Sequence, residues 1–149
     1  MISKKQLTRN YDTLFASDYT QAISDNLDHL LMQVDIFMKD YKFGVEVTSG
    51  WRPAAVNAST KGAAPKSNHM VGLAMDLLDA DGNLMHYVLA HLQEATELGL
   101  YFEDFRWTKN WVHIQTCSPK SKNRIYKPSE ALPPCPQKWN GKYDSKFNK

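Results

Sequence analysis

The sequence predicts an α+β fold: a small antiparallel sheet packed with helices in a single domain. Three observations point there. At 149 residues the chain is long enough to bury one core without covalent staples. Its 42% hydrophobic and 23% charged residues fall in the globular range. Its apolar spacing alternates between helical and strand periods, with turn residues where the period changes.

Residues 1–19 are polar and aromatic with weak periodicity. From Thr20 to Lys39, the residues Ile23, Leu27, Leu30, Leu31, Val34 and Phe37 or Met38 recur every three or four positions. That spacing predicts an amphipathic helix, which Tyr41–Gly44 closes with Gly44 as the stop. Val45 and Val47 alternate with Glu46 and Thr48, a short strand that the run Ser49-Gly50-Trp51-Arg52-Pro53 ends in a turn. Ala54 to Lys66 is small and polar, with Gly62 and Pro65, and reads as loop. Leu73 to Leu78 reads as a second strand and Asp79–Asn83 as a turn. Leu84 to Leu98 reads as a second helix with Val88, Leu89, Leu92 and Ala95 on one face and Gly99 as its cap. Leu100–Trp107 and Trp111–Thr116 predict two further strands joined by a short turn at Thr108–Asn110. From Pro119 the Pro and Lys content rises and periodicity fades. The domain is therefore expected at 1–118, with 119–149 as an extended Pro/Lys-rich tail.

Charge excludes one class of function. A net charge of +2 with a pI near 8.5 is too weakly basic for a nucleic-acid footprint. Two cysteines, Cys117 and Cys135, make neither a disulfide framework nor a CxxC pair, and both a bridge and a free pair remain open. The basic N-terminus lacks a following apolar run, so no secretory signal is expected. No segment has the length of a membrane span, so no membrane insertion is expected. The chain is expected to be made in the cytoplasm and delivered by other means if it acts outside.

The five histidines divide into two groups. His29 lies within the first helix, and His86 and His91 are five apart on the second, off a shared face. These three read as surface or packed residues. His69 and His113 stand differently. In Trp111-Val-His-Ile-Gln115, alternation puts His113 and Gln115 opposite the apolar Val112 and Ile114. In Gly72-Leu-Ala-Met-Asp76, the small residues 72 and 74 leave space on the side of Asp76. Two imidazoles and a carboxylate meeting from adjacent strands, with a fourth position open, make the donor set of a catalytic zinc site.

The string Ser67-x-His69-x-x-Gly72-x-Ala74-x-Asp76 resembles the first zinc motif of the LAS-type metallopeptidases. That group comprises zinc D-Ala-D-Ala carboxypeptidases and dipeptidases, phage L-alanyl-D-glutamate endopeptidases and the related hedgehog signalling fold. Ser49–Pro53 is similar to the family's SGYRP segment, and Trp111–Gln115 resembles its final-histidine strand. The three run in order over Val45 to Gln115, with a spacing like that of the short phage-encoded members. The resemblance implies a hedgehog/DD-peptidase-like domain whose motif core spans 45–116. It implies that His69, Asp76 and His113 hold Zn2+, and that Arg52 polarises the scissile carbonyl, as a fixed guanidinium can. Ser67 and Gln115 are candidate substrate contacts. The implied substrate is a peptidoglycan stem peptide, cut at the bacterial cell wall by a released lysin or a virion-associated enzyme. A virion or phage-tail assembly partner is a further expectation. The alternative is a non-catalytic zinc-binding structural or wall-binding module of the same fold.

One position departs from the family. Many members carry a general-base carboxylate three residues before the last histidine, where this chain has Asn110. If Thr108–Lys109 form a two-residue turn, Asp104 falls opposite His113; if the turn shifts by one, Asp104 falls opposite Gln115. Either register puts Asp104 on the ligand face and turns Glu103 away. Asp104 is thus the candidate base, with Glu46 a weaker one.

Overall fold

A computed structural model describes residues 1–131. The fold is α+β, with a five-stranded sheet and helices on its apolar face. The N-terminal stretch forms two short helices, α1 (Lys4–Thr8) and α2 (Tyr11–Leu14). The long helix α3 runs from Gln21 to Phe37, started by the Thr20 hydroxyl, which accepts from the Ile23 amide. It ends well before Gly44. Its residues Leu27, Leu30, Val34 and Phe37 are fully buried. At about 1.5–3 kcal/mol for each fully buried large apolar side chain, this stripe anchors the core.

The strands follow as β1 (Val47–Ser49), β2 (Ala74–Leu78), β3 (Tyr101–Glu103), β4 (Trp111–Gln115) and β5 (Ile125–Tyr126). Their order in the sheet is β1-β2-β4-β3-β5. The first four pair antiparallel, and β5 adds to β3 in parallel. Met75, Leu77, Phe102, Val112 and Ile114 alternate onto the face covered by α3 and are completely buried. The opposite face carries Asp76, His113 and Gln115.

The strand expected over Leu100–Trp107 stops at Glu103, and three further segments differ from the sequence expectation. Ala54–Ser59 is a helix, α4, rather than loop. Its three alanines are good helix formers and Pro53 suits the position before a first turn, a signal the small polar residues around them disguised. The expected helix over Leu84–Leu98 is two, α5 (Asn83–Ala90) and α6 (Leu92–Glu97). At the break, His91 Nδ1 bonds the Tyr87 carbonyl at 2.7 Å and its ring stacks on Tyr87, a side chain competing with the helical ladder. Third, β5 lies within the stretch expected to be a tail, and Tyr126 there is buried. Residues 132–149, the rest of that stretch, lie outside the described residues. Cys117 is disulfide-bonded. Among the described residues no helix is long and apolar enough to cross a membrane.

Candidate metal centre

Local structure sets each of three donor side chains. His69 lies in a 3-10 turn, Asn68–Val71, whose first residue is preceded by Ser67. The Ser67 hydroxyl accepts from the His69 amide at 3.3 Å. Gly72 reverses the chain after this turn with φ +77, a conformation side chains disfavour, and a Cβ there would press on the Ile23 carbonyl of α3. The chain then enters β2, and Asp76 is its third residue. On β4, His113 pairs directly across from Asp76. A bulge in β1 sets Ser49 opposite Asp76 as well, so the following Gly50–Pro53 segment passes beside the site.

The donor atoms converge. His69 Nε2 lies 3.3 Å from both His113 Nδ1 and Asp76 Oδ1, and His113 Nδ1 lies 2.8 Å from Asp76 Oδ1. Among the described residues, these three form the group of His, Cys, Asp and Glu side chains able to share a metal ion. Ligand atoms at about 2.05 Å from a tetrahedral zinc stand roughly 3.3 Å apart, so two of the three edges already have the required length. His29, His86 and His91 take no part.

The outer ring nitrogens are each held. His69 Nδ1 donates to the Gly50 carbonyl at 2.8 Å, which leaves the Nε2 lone pair facing the centre. His113 Nε2 donates to Gln115 Oε1 at 3.0 Å and leaves Nδ1 inward. Gln115 Oε1 also accepts from Asn68 Nδ2 at 3.2 Å and from the Tyr126 hydroxyl at 2.7 Å, while Gln115 Nε2 donates to the Cys117 carbonyl at 2.6 Å. This network fits the donor set of a metal, because it fixes orientation without occupying the inward atoms.

Electrostatics follow from burial and pairing. Burial works against the Asp76 carboxylate, yet the charges and hydrogen bonds of His69 and His113 hold it far below the usual range. Burial pushes His69 down, only partly offset by Asp76. For His113 burial acts the same way but is overcome by the hydrogen bond and charge of Asp76, so its pKa rises. Burial pushes the Tyr126 phenol well above its ordinary value, and the charges of Glu103 and Asp76 add to that.

Arg52 adjoins the centre. Its backbone amide donates to the His69 carbonyl at 3.2 Å and its Nη2 donates to Ser67 Oγ at 3.1 Å. Burial lowers its pKa and the Asp76 charge opposes that, while its buried Nε has no partner among the described residues. Ser67 thus holds the turn and the guanidinium. Gln115 is buried behind His113 rather than facing a ligand in the cleft.

Asp104 is placed elsewhere. Its carboxylate is clamped by Arg106, with Arg106 Nε at 2.9 and 3.2 Å and Nη2 at 2.5 Å, and this holds its pKa down to about 2. The reason is register. Tyr101 pairs with Gln115 and Phe102 with Ile114, so Glu103 rather than Asp104 shares the parity of His113. The connection is longer than a two-residue turn: Trp107 donates to the Asp104 carbonyl, and Asn110 takes a left-handed φ of 70. Glu46 is exposed and lies just before β1. Sequence reasoning turned Glu103 away from this face, where the register places it, and missed the Gly50 carbonyl, Asn68 and Tyr126; only Asn68, next to His69 in the motif, carried a local signal.

On the same sheet face as the donors, Leu78 pairs with Trp111, and both are exposed, at 42% and 37%. The face is covered at the Gln115 end and open at this one.

A model described as peptidase M15 matches residues 5–115, from α1 to the last residue of β4. No curated protein and no solved structure matches the chain.

Proposed function

Because the chain belongs to the peptidase M15 family, we propose that it is a zinc peptidase that hydrolyses an amide bond in peptidoglycan stem peptides. The observation that carries this reading is the convergence of His69 Nε2, Asp76 Oδ1 and His113 Nδ1, with Arg52 alongside. A zinc ion held there supplies Lewis-acid activation of a water molecule and of the scissile carbonyl.

The chain's own residues do the rest. Gly50 and Gln115 keep the two imidazoles in the tautomers that present a lone pair inward. Ser67 ties down one guanidinium nitrogen of Arg52 and so orients the guanidinium that stabilises the carbonyl oxygen as negative charge grows on it. Leu78 and Trp111 offer an apolar floor at the open end of the face, suited to the aliphatic parts of a short peptide. Both a carboxypeptidase and an endopeptidase action fit this cleft. The setting we propose is the bacterial wall, reached by a phage lysin or a virion-borne enzyme.

One observation favours a second reading. Asn110, in the position where many relatives carry a carboxylate, is a left-handed turn residue, as suits a module that binds zinc and wall without cutting.

Incubating purified sacculi with the protein, with and without chelator, and weighing the released peptides separates the two. New amine termini that vanish with chelator and in His113→Ala support hydrolysis and identify the bond. Intact muropeptides at high protein concentration, with zinc bound, leave only the binding module.

A further inference from the structure

The hairpin register leaves a carboxylate beside the metal centre that the donor set does not use. Glu103 ends β3, one step beyond the Phe102–Ile114 pair, which brings it across from His113. Alternation sets it on the face of Asp76 and His113, opposite to the buried Phe102 and Ile114. On its other side it pairs with Tyr126 of β5, whose ring stands edge-on to His113 at 6.5 Å.

Its surroundings distinguish it from its neighbour. Asp104 is saturated by Arg106. The half-buried Glu103 makes no side-chain hydrogen bond or ion pair among the described residues, so its carboxylate is left uncommitted on this face. Burial pushes its pKa up, His113 opposes that and Asp76 adds to it, so it senses both groups electrostatically. A carboxylate on the cleft face with no fixed partner is free to accept a proton and return it.

On the peptidase reading above, we propose that Glu103 is the general base and acid of the amide hydrolysis, in the role that Asn110 cannot fill. Its carboxylate takes a proton from water as the water oxygen bonds to the carbonyl carbon. It returns that proton to the amide nitrogen as the C–N bond breaks. One carboxylic acid and one amine result, and no further reactant is consumed. β5 thereby contributes to the site from outside the three motifs, because Tyr126 flanks the base on one side and steadies Gln115 on the other.

The test compares wild type, Glu103→Gln and Asp104→Asn, all loaded with zinc, on sacculi. Glu103→Gln is expected to bind zinc in the same 1:1 ratio while its cleavage rate falls on the order of 100-fold or more. Cleavage within about threefold of wild type overturns the assignment, as does a larger loss in Asp104→Asn than in Glu103→Gln. A wild type that binds zinc and never cleaves removes the peptidase reading itself, and the role with it. An activity-independent measurement uses the cobalt(II)-loaded protein. Paramagnetic broadening is expected to erase the Glu103 side-chain resonances and spare those of Asp104; equal or stronger broadening of Asp104 overturns the placement.

Discussion

The Gly50 carbonyl oxygen lies 2.8 Å from His69 Nδ1, and the residue bearing that oxygen is pressed against α1. Leu7 is fully buried there, and its carbonyl accepts from the Trp51 amide at 2.9 Å. The N-terminal helix therefore supports His69 through one glycine.

Gly50→Ala tests that support. A Cβ at this position collides with the Leu7 backbone, which cannot swing aside as a side-chain tip can. The variant is expected to lose about 1–3 kcal/mol of stability and to bind zinc more weakly, as overpacking requires. Urea unfolding and a zinc competition titration check this; wild-type values in both would show that the contact is slack.

Metal loading is expected to stabilise the fold by mass action, by about 4 kcal/mol at a thousandfold excess over the dissociation constant. Adding chelator should reverse the rise in melting temperature. In Asp76→Ala the zinc-dependent rise should disappear, because the pair of imidazoles loses its only carboxylate neighbour in the donor set. A zinc-induced rise that survives in Asp76→Ala would place the binding elsewhere.

Tyr126→Phe removes one of the donors on Gln115 Oε1 and leaves the ring in place. Disturbing an outer contact of this kind typically weakens metal binding about 10–100-fold. Circular dichroism should be unchanged while the zinc dissociation constant rises. An unchanged constant would mean that the contacts of Gln115 with Asn68, His113 and Cys117 suffice to hold the amide.

Arg52→Ala is expected to keep its zinc and to cut turnover by about 100–1000-fold, the loss seen when an oxyanion donor is removed. Arg52→Lys should not restore the rate, since a point charge cannot donate to Ser67 and to the substrate from one planar fork. Recovery in the lysine variant would show that charge alone suffices.

His29 carries a pH dependence of stability. It is buried in α3, and burial pushes its imidazole below the ordinary 6.5. As pH falls below 6.5 the unfolded chain takes up a proton that the folded chain resists, so folding loses stability in that range. His29→Gln should show a shallower decline than wild type in denaturant melts across it. Parallel declines would assign the acid sensitivity to other groups.

The legible parts of this molecule are those decided locally. The α3 stripe and the strand alternation around Asp76 and His113 follow from neighbours in the sequence. The hairpin register does not. It depends on Arg106 folding back on Asp104 and on Asn110 accepting a left-handed backbone, and a difference of one residue there exchanges Glu103 for Asp104. Tyr126 is similarly hidden: its partner Gln115 lies eleven residues away, and a two-residue parallel strand has no periodicity to detect. In α4 propensity was present, but the small polar composition concealed it.

The turn at Asn68–Val71, the reversal at Gly72 and the entry into β2 fix the number of residues between His69 and Asp76 as a ruler fixes a length. Strand parity makes that ruler unforgiving. One residue inserted after Gly72 would present Met75 where Asp76 now stands and turn the carboxylate into the apolar layer beneath α3. The interval is thus a constraint on insertions and deletions as much as on residue identity. Exchanges at Met70 or Leu73 leave the count intact, whereas gain or loss of a single residue between 69 and 76 takes a donor side chain out of the cluster without changing its identity.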